Sequence, residues 1–194
     1  MKYIIGLTGP TGSGKTTLCN TAANMGYNVL NCDIIARKAA EMPETLVALT
    51  SVFGKDILED GKLNRKALAQ KAFSSPKNTE LLNKTMLPFV VALIKKEIEN
   101  SSSNKVLLDA PTLFESGADS MCNAVIAVLA EKEDRKQRII LRDGLTEAEA
   151  ELRISAGKND NYYKDRTQHI IYNNGDQNAF TLEFKSKLNT LEEQ

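Results

Sequence analysis

The chain has 194 residues, which is enough for one domain with a substantial core and too few for two full domains. Its 25 basic and 25 acidic residues cancel, so no overall field favours nucleic acid or an anionic membrane surface. No apolar run approaches a membrane span, and three widely spaced cysteines without a C-x-x-C pair predict a soluble, cytoplasmic protein without disulfides or zinc.

The first predicted strand, over residues 3–7, runs directly into a glycine-rich segment. Residues 9–16 read GPTGSGKT and match the pattern G-x-x-x-x-G-K-[ST]. In such a phosphate loop, backbone N–H groups and the start of the next helix cradle phosphates, Lys15 reaches the β- and γ-phosphates, and the Thr16 hydroxyl meets Mg²⁺. We predict that a nucleoside triphosphate is bound by Thr11, Gly12, Ser13, Gly14, Lys15, Thr16 and Thr17.

Helical and strand patterns alternate after this loop. A helix is predicted over residues 15–25, ended by Gly26, and a second strand over 28–31. Further strands at 106–109, 124–129 and 169–172 are separated by helical stretches, which is typical of βαβ units. The sequence therefore predicts an α/β fold, with a parallel five-stranded sheet flanked by helices.

Asp33 lies just past the second predicted strand, at the edge of the sheet where the phosphate loop begins. It could cap the helix that starts there, and it could also accept or orient the proton of a hydroxyl that attacks a γ-phosphate. The two roles are compatible, and we favour the catalytic one. Arg37, one helical turn on, could keep Asp33 ionised or could contact substrate.

Residues 34–104 separate the second and third predicted strands and are too many for a simple crossover, so we expect a helical flap. Ser75 and Pro76 predict the start of one helix, and Pro88 predicts the start of another. The apolar residues of that last helix repeat at helical spacing and predict one buried stripe, consisting of Val90, Leu93, Ile94 and Ile98.

The third predicted strand ends in Asp109, as a Walker B strand does, with a carboxylate that could meet Mg²⁺ directly or through water. The alternative is an aspartate that only marks the end of a buried strand. The only histidine, His169, excludes a multi-histidine metal site, and we expect it to be structural. A magnesium site formed by Thr16 and Asp109 is thus the metal site that the sequence predicts.

Residues 131–167 predict a helical lid, which contains a charged helix over 131–142 and a capping box at 146–149. Arg138 and Arg142 share one face of the charged helix. Arginines on such a helix are commonly only solvated, but phosphoryl transfer also calls for mobile guanidinium groups. Near the C-terminus, a turn at 173–175 precedes an amphipathic helix whose apolar face contains Phe180, Phe184, Leu188 and Leu191.

These motifs together resemble the dephospho-coenzyme A kinases, and the likeness spans nearly the whole chain. It is carried by the phosphate loop, by DIIAR at 33–37, by LDAPTLFE at 108–115, by GKLNR at 61–65 and by IYNNG at 171–175. The resemblance implies a P-loop kinase fold in which the γ-phosphate of ATP is transferred to the ribose 3′-hydroxyl of dephospho-coenzyme A. It also implies ATP and Mg²⁺ as cofactors and that small molecule as the partner.

The same resemblance implies roles for individual residues. Asp33 matches the family's base, Arg65 and Glu115 would hold or shape the acceptor site, Arg142 would face the phosphates, and Asn174 would lie near the adenine. The predicted catalytic residues are Asp33, Lys15 and Arg142. Arg138, Arg142 and Asn174 complete the predicted nucleotide site. The predicted acceptor site consists of Thr8, Asp33, Arg37, Arg65, Asp109 and Glu115.

We expect a single kinase domain whose core is formed by 1–33, 105–130 and 168–194, with an acceptor-binding flap over 34–104 and a lid over 131–167. The chain departs from the family's usual residues at Leu87, Thr112, Gly157, Thr167 and Gln168. Another small kinase with a nucleoside or nucleotide acceptor is therefore one alternative. A non-catalytic nucleotide switch is another, although the chain contains no Asn-Lys-x-Asp sequence. The oligomeric state is left open and is compatible with a monomer.

Overall fold

The computed structural model describes residues 2–193 and contains a five-stranded sheet in the order β2-β5-β1-β6-β7. Its strands are β1 (Tyr3–Thr8), β2 (Asn28–Asn31), β5 (Lys105–Asp109), β6 (Ala124–Leu129) and β7 (His169–Tyr172). Strand β1 pairs in parallel with β5 and β6, and β6 pairs in parallel with β7. The predicted α/β sheet is confirmed, and the bounds of β6 and β7 are the predicted ones.

The register brings the carboxyl ends of the central strands to one edge. Leu7 in β1 lies beside Asp109 in β5 and beside Ile126 in β6. Because the strands are parallel, the segments that follow β1 and β5 leave the sheet at the same edge. In open α/β sheets that edge is where ligands bind.

By their contacts, the described residues form two compact units, of which one is residues 31–100 and the other contains the rest. The larger unit carries the helices α1 (Lys15–Asn24), α6 (Lys132–Asp143), α7 (Glu147–Ser155), α8 (Asp160–Lys164) and α9 (Gln177–Glu192) and a 3₁₀ turn at Ala118–Met121. Its core places the buried faces of α1 and α9 against the sheet. The predicted apolar face of α9 is confirmed, because Phe180, Phe184, Leu188 and Leu191 are all buried.

The smaller unit contains α2 (Cys32–Ala39), α3 (Pro43–Phe53), α4 (Arg65–Ala72), α5 (Pro76–Asn100), a 3₁₀ turn at Lys55–Ile57 and a hairpin of β3 (Leu58–Glu59) and β4 (Lys62–Leu63). It has a small core of its own, formed by Leu49, Phe53, Ile57, Leu68 and Ala72. Residues 31–100 are thus the mainly helical segment that the sequence predicts between the second and third strands of the main sheet.

One prediction in this unit is wrong, because Pro88 does not begin a new helix but lies inside α5. A proline inside a helix removes one hydrogen bond and costs about 3 kcal/mol. Apolar packing on both sides of the proline offsets that cost: Met86 packs on the core of the unit, and Ile94 and Ile98 are buried. The predicted start of α5 is confirmed, since the Ser75 hydroxyl accepts a hydrogen bond from the main-chain N–H of Asn78 in the first turn of the helix.

One further local prediction is confirmed at the start of α7. Thr146 and Glu149 form the predicted capping box at the start of α7, with both reciprocal hydrogen bonds present. Cys19, Cys32 and Cys122, which all lie in the described part of the chain, form no disulfide. Between residues 2 and 193, no helix has the length and apolarity that crossing a membrane requires.

Candidate active site

The phosphate loop leaves β1 at the carboxyl edge of the sheet and enters α1, whose N-cap is Gly14. Gly9, Gly12 and Gly14 have φ angles of +138°, +80° and +103°, in the region that side chains disfavour. A Cβ on Gly12 would lie 2.7 Å from the main-chain oxygen of Arg135. The loop therefore requires glycine for both its curvature and its packing, and it leads into the start of a helix, where main-chain N–H groups can bind an anion.

Lys15 folds back over this loop. Its ammonium donates hydrogen bonds of 2.6 Å to the main-chain oxygen of Gly9 and 3.3 Å to that of Pro10. The cation is thereby held above the segment whose N–H groups would surround a phosphate. This is the position from which a flexible side chain can reach β- and γ-phosphate oxygens.

Side chains from outside the loop hold its next three carbonyl groups. The donors and acceptors are Arg135 Nε to Thr11 O at 2.9 Å, Arg138 Nη1 to Gly12 O at 3.2 Å, and Asn173 Nδ2 to Ser13 O at 2.9 Å. Sequence reasoning identified Arg138 but assigned no role to Arg135 or Asn173. Arg135 could have been found because it precedes Arg138 by three residues on one helix face, and Asn173 because it directly follows β7.

The predicted metal ligands lie in two elements: Thr16 is the second residue of α1, and Asp109 is the last residue of β5. Thr16 is exposed in the first turn of α1. Asp109 lies against the same helix, because its carboxylate contacts the thiol of Cys19 in α1. The pKa of that thiol is raised to about 12, first by burial and then by the charge and hydrogen bond of Asp109. Lys15 opposes that shift and so lies close to both groups. Within residues 2–193 there is no cluster of three or more His, Cys, Asp or Glu side chains suited to a metal.

Asp33 lies in the first turn of α2 and is exposed. Asp33 does not take the capping role that the sequence also allowed, because Asn31 is the N-cap and its side-chain oxygen accepts a 3.0 Å hydrogen bond from Ile34 N. Asparagine one residue before the helix has the extended backbone that a cap requires, whereas Asp33 is already helical. The Asp33 carboxylate therefore does not cap the start of α2.

Arg37 and Arg65, two predicted acceptor residues, lie together in residues 31–100. Arg65 Nη2 is 3.4 Å from the main-chain oxygen of Arg37 and 2.6 Å from Glu41 Oε1. Among the described ion pairs, none joins Arg37 to Asp33, so the suggested helical pair between them is not formed here. The structure thus places the Arg65 guanidinium beside the main chain of α2 at Arg37.

Thr8 and Glu115, also predicted to bind the acceptor, lie in the larger unit. Thr8 is fully buried, and its hydroxyl donates a 3.3 Å hydrogen bond to Pro111 O, which joins the ends of β1 and β5. The pKa of Tyr162 in α8 is raised, first by burial and then by the charge of Glu115. Glu115 therefore lies beside the helix at the end of the predicted lid.

Arg142 and Asn174 lie apart from the phosphate loop's hydrogen bonds. The Arg142 guanidinium makes a two-bond pair with Asp143, at 2.7 and 2.8 Å, and Asp143 also accepts a 2.7 Å hydrogen bond from Arg153. Asn174 Oδ1 accepts a 3.2 Å hydrogen bond from the main chain of Glu131 at the start of α6. Of the two predicted lid arginines, the structure brings only Arg138 to the loop.

Comparison with known proteins extends over most of the chain. Residues 3–179 match the family model described as dephospho-CoA kinase. Proteins named dephospho-CoA kinase are similar to it in Idiomarina loihiensis, at 38% identity over 80% of this chain and 78% of that one, and in Enterococcus faecalis, at 34% identity over 90% of each.

Solved structures are similar in fold over nearly the whole chain. TT1252 from Thermus thermophilus has a TM-score of 0.82 and 30% identity, over 98% of this chain and 97% of that one. A dephospho-CoA kinase from Campylobacter jejuni has a TM-score of 0.72 and 24% identity, over 98% of both chains. A shikimate kinase from Bacteroides thetaiotaomicron, with a TM-score of 0.56 and 15% identity over 98% of both, shares the fold alone.

Proposed function

The chain belongs to the dephospho-CoA kinase family, and we propose that it transfers the γ-phosphate of ATP to the ribose 3′-hydroxyl of dephospho-CoA, yielding CoA and ADP. The observation that carries this proposal is the phosphate loop itself: a glycine-built turn at the carboxyl edge of a parallel sheet, with Lys15 folded over it. Phosphoryl transfer depends chiefly on positioning and on neutralising charge, and this loop supplies both.

ATP binding would exchange one set of hydrogen bonds for another. The Lys15 ammonium would leave the carbonyl groups of Gly9 and Pro10 for the β- and γ-phosphates, while the N–H groups of residues 12–16 would donate to phosphate oxygens. Arg142 would also turn to the phosphates, since its present pair with Asp143 is exposed and weak. Arg138 and Asn174 would border the nucleotide, with Asn174 near the adenine.

Thr16 and Asp109 fit a magnesium ion, because a hydroxyl and a carboxylate are the oxygen donors that Mg²⁺ prefers. Magnesium commonly keeps several waters and takes further oxygens from the nucleotide, so two protein ligands suffice. When bound, the ion would neutralise negative charge on the phosphates. Thr16 would hold it from the start of α1, and Asp109 directly or through water.

Asp33 is our candidate for the general base. In this role it accepts the proton of the 3′-hydroxyl as the oxygen attacks the γ-phosphorus. Its exposed carboxylate and the separate cap at Asn31 support this assignment, because the side chain is not needed to hold α2. We further propose that residues 34–104 bind the acceptor through Arg37 and Arg65, that Thr8, Asp109 and Glu115 shape the site, and that residues 131–167 act as a lid.

We also place the protein in the cytoplasm, since ATP is the phosphate donor and no disulfide is found among the described cysteines.

The test is direct. The purified protein is incubated with Mg²⁺, ATP and dephospho-CoA, and the product is identified by mass spectrometry and by ³¹P NMR, which assigns the phosphate to the 3′-position. Adenosine, AMP and shikimate serve as competing acceptors in parallel reactions. We expect CoA as the main product; phosphorylation of another acceptor in preference, or nucleotide binding without any phosphorylated product, would overturn the proposal.

A further inference from the structure

Two buried side chains hold the phosphate loop without taking part in the phosphoryl transfer proposed above. Arg135 in α6 is 5% exposed, and Asn173, directly after β7, is 9% exposed. Arg135 Nε donates to the carbonyl of Thr11, and Asn173 Nδ2 donates to the carbonyl of Ser13, both at 2.9 Å. Two separate elements of the fold therefore grip the loop at carbonyl groups two residues apart.

We propose that Arg135 and Asn173 are positioning residues that orient the N–H groups of Gly12 and Gly14 toward the phosphates of ATP. A peptide unit is planar and trans, so its C=O and N–H point in opposite directions. The carbonyl of Thr11 shares a peptide unit with Gly12 N–H, and the carbonyl of Ser13 shares one with Gly14 N–H. Holding the two oxygens outward therefore turns both donors inward.

Close packing strengthens these two hydrogen bonds. A Cβ on Gly12 would lie 2.7 Å from Arg135 O and 3.1 Å from Arg135 Cβ, so the first turn of α6 rests directly on the loop. A Cβ on Gly14 would overlap the side-chain amide of Asn173. The absence of side chains at these glycines is what allows both holding groups to reach the backbone.

The two positions are also joined to each other. Arg138 donates from Nη1 to Gly12 O at 3.2 Å and from Nη2 to the main-chain oxygen of Asn173 at 3.0 Å. The main-chain nitrogen of Asn173 in turn donates to Leu129 O at the end of β6, at 2.8 Å. The loop is thereby fastened to the sheet on one side and to α6 on the other.

Burial of the charged Arg135 side chain costs free energy because it removes the guanidinium from water. Within residues 2–193 its Nη2 is buried without a hydrogen-bond partner, and desolvation lowers its pKa, partly opposed by the charge of Asp160. A buried guanidinium that is only partly satisfied destabilises a fold. Its contact with Thr11 and Gly12 supplies a functional reason for a residue that stability alone does not favour.

The experiment compares the affinity of each variant for ATP with its affinity for adenosine, which has no phosphate for the loop to bind. Arg135→Met keeps most of the unbranched stem of the side chain and removes the donors, and Asn173→Leu has a similar volume and removes the donor to Ser13 O without adding a charge. We expect the Kd for ATP to rise about 10- to 100-fold in each variant, and the Kd for adenosine to stay within about twofold. The Kd values are measured by calorimetry and by ligand-observed NMR.

Lys136→Met is the matched control, because Lys136 is the next residue of α6 and pairs with Glu133 and Glu147 away from the loop. Its ATP affinity should equal that of the wild type. Hydrogen exchange of peptides covering residues 9–15 should be faster in the two variants and unchanged in the control.

The proposal is overturned if ATP affinity is unchanged in either folded variant, or if ATP and adenosine lose affinity equally. Asn173→Leu removes a single donor group and carries the test if Arg135→Met does not fold. The inference takes its ligand from the proposed function, yet the two fail separately. A wild type that binds ATP but leaves dephospho-CoA unmodified defeats only the proposed acceptor, and the binding measurements still decide the role of Arg135 and Asn173.

Discussion

The ammonium of Lys15 lies 2.6 Å from the main-chain oxygen of Gly9, six residues earlier in the chain, so the phosphate loop is closed by its own cation. That contact keeps the ammonium over the place where phosphates would bind. The same ammonium would then stabilise the charge that develops on the transferred phosphoryl group.

Lys15→Met should therefore lower kcat/KM for ATP by about 10²- to 10³-fold, the range found when one preorganised donor to a developing charge is removed. The melting temperature should change little, since the hydrogen bonds of Lys15 to Gly9 O and Pro10 O join residues of one short loop. Steady-state kinetics and calorimetry measure the two effects. A variant within fivefold of the wild type in kcat/KM would show that Lys15 does not contact the phosphates.

Asp33→Asn should reduce kcat by about 10²- to 10⁴-fold while ATP affinity stays close to that of the wild type, because only proton transfer from the acceptor hydroxyl is lost. Asp56→Asn is the control, since Asp56 is an exposed carboxylate in the same unit that pairs with Lys71. Its kcat should be unchanged. Near-normal turnover of Asp33→Asn would refute the general-base assignment.

Arg142→Met and Arg153→Met form a matched pair, because both guanidinium groups bind the same carboxylate, that of Asp143. Both ion pairs are exposed to solvent and contribute little to stability, so neither variant should unfold. We expect Arg142→Met to lower kcat by about 10- to 100-fold through loss of a contact to the transferred phosphate, and Arg153→Met to lower it less than twofold. If the two variants lowered kcat equally, Arg142 would act only through its ion pair with Asp143 and would not contact the phosphate.

Gly9 and Gly175 share a φ of +138° but differ in their surroundings. A Cβ on Gly9 would overlap the main-chain oxygen of Val128, whereas a Cβ on Gly175 meets no atom within 4 Å. Gly175→Ala should cost about 1–2 kcal/mol of unfolding free energy from backbone strain. Gly9→Ala should cost at least about 2 kcal/mol more, because β6 must move. Urea unfolding measures the loss of unfolding free energy in each variant. Equal losses would mean that the close approach of Gly9 to Val128 does not affect stability.

Cys19 should be inert as a nucleophile at pH 9, because burial and the neighbouring Asp109 raise its pKa to about 12. Alkylation by iodoacetamide, followed by peptide mass spectrometry, should be at least about 100-fold slower at Cys19 in the folded protein than in urea. Rapid labelling of the folded protein would contradict the buried contact with Asp109.

The same raised pKa fixes the sign of a pH effect on stability. In the unfolded chain the thiol ionises near its ordinary pKa of about 8.5, while in the folded protein it stays protonated. The stabilising contribution is therefore complete below about pH 8.5 and is lost as the pH rises toward 12. Cys19→Ser keeps a donor for Asp109 without this ionisation, so its urea midpoint should fall less than that of the wild type between pH 8 and pH 10.

Local patterns in the chain were sufficient for much of the architecture. The phosphate loop follows from the spacing of its glycines with Lys15 and Thr16, and the capping box at Thr146 from two residues three apart. Strand and helix periods read over a few residues gave β6, β7 and the buried face of α9, because these signals depend on neighbours in sequence.

Distant contacts decided the rest. The hydrogen bonds of Arg135 to Thr11 and of Asn173 to Ser13 join residues 124 and 160 positions apart, so no local sequence pattern predicts them. Pro88 remains helical because packing on both sides of it outweighs its own preference. Asn31 caps α2 in place of Asp33 because the helix begins at Cys32, directly after β2, which places Asp33 inside its first turn. Composition and spacing specify the groups that can bind phosphate, whereas the packing of α6 and the turn after β7 determines which way the loop presents them.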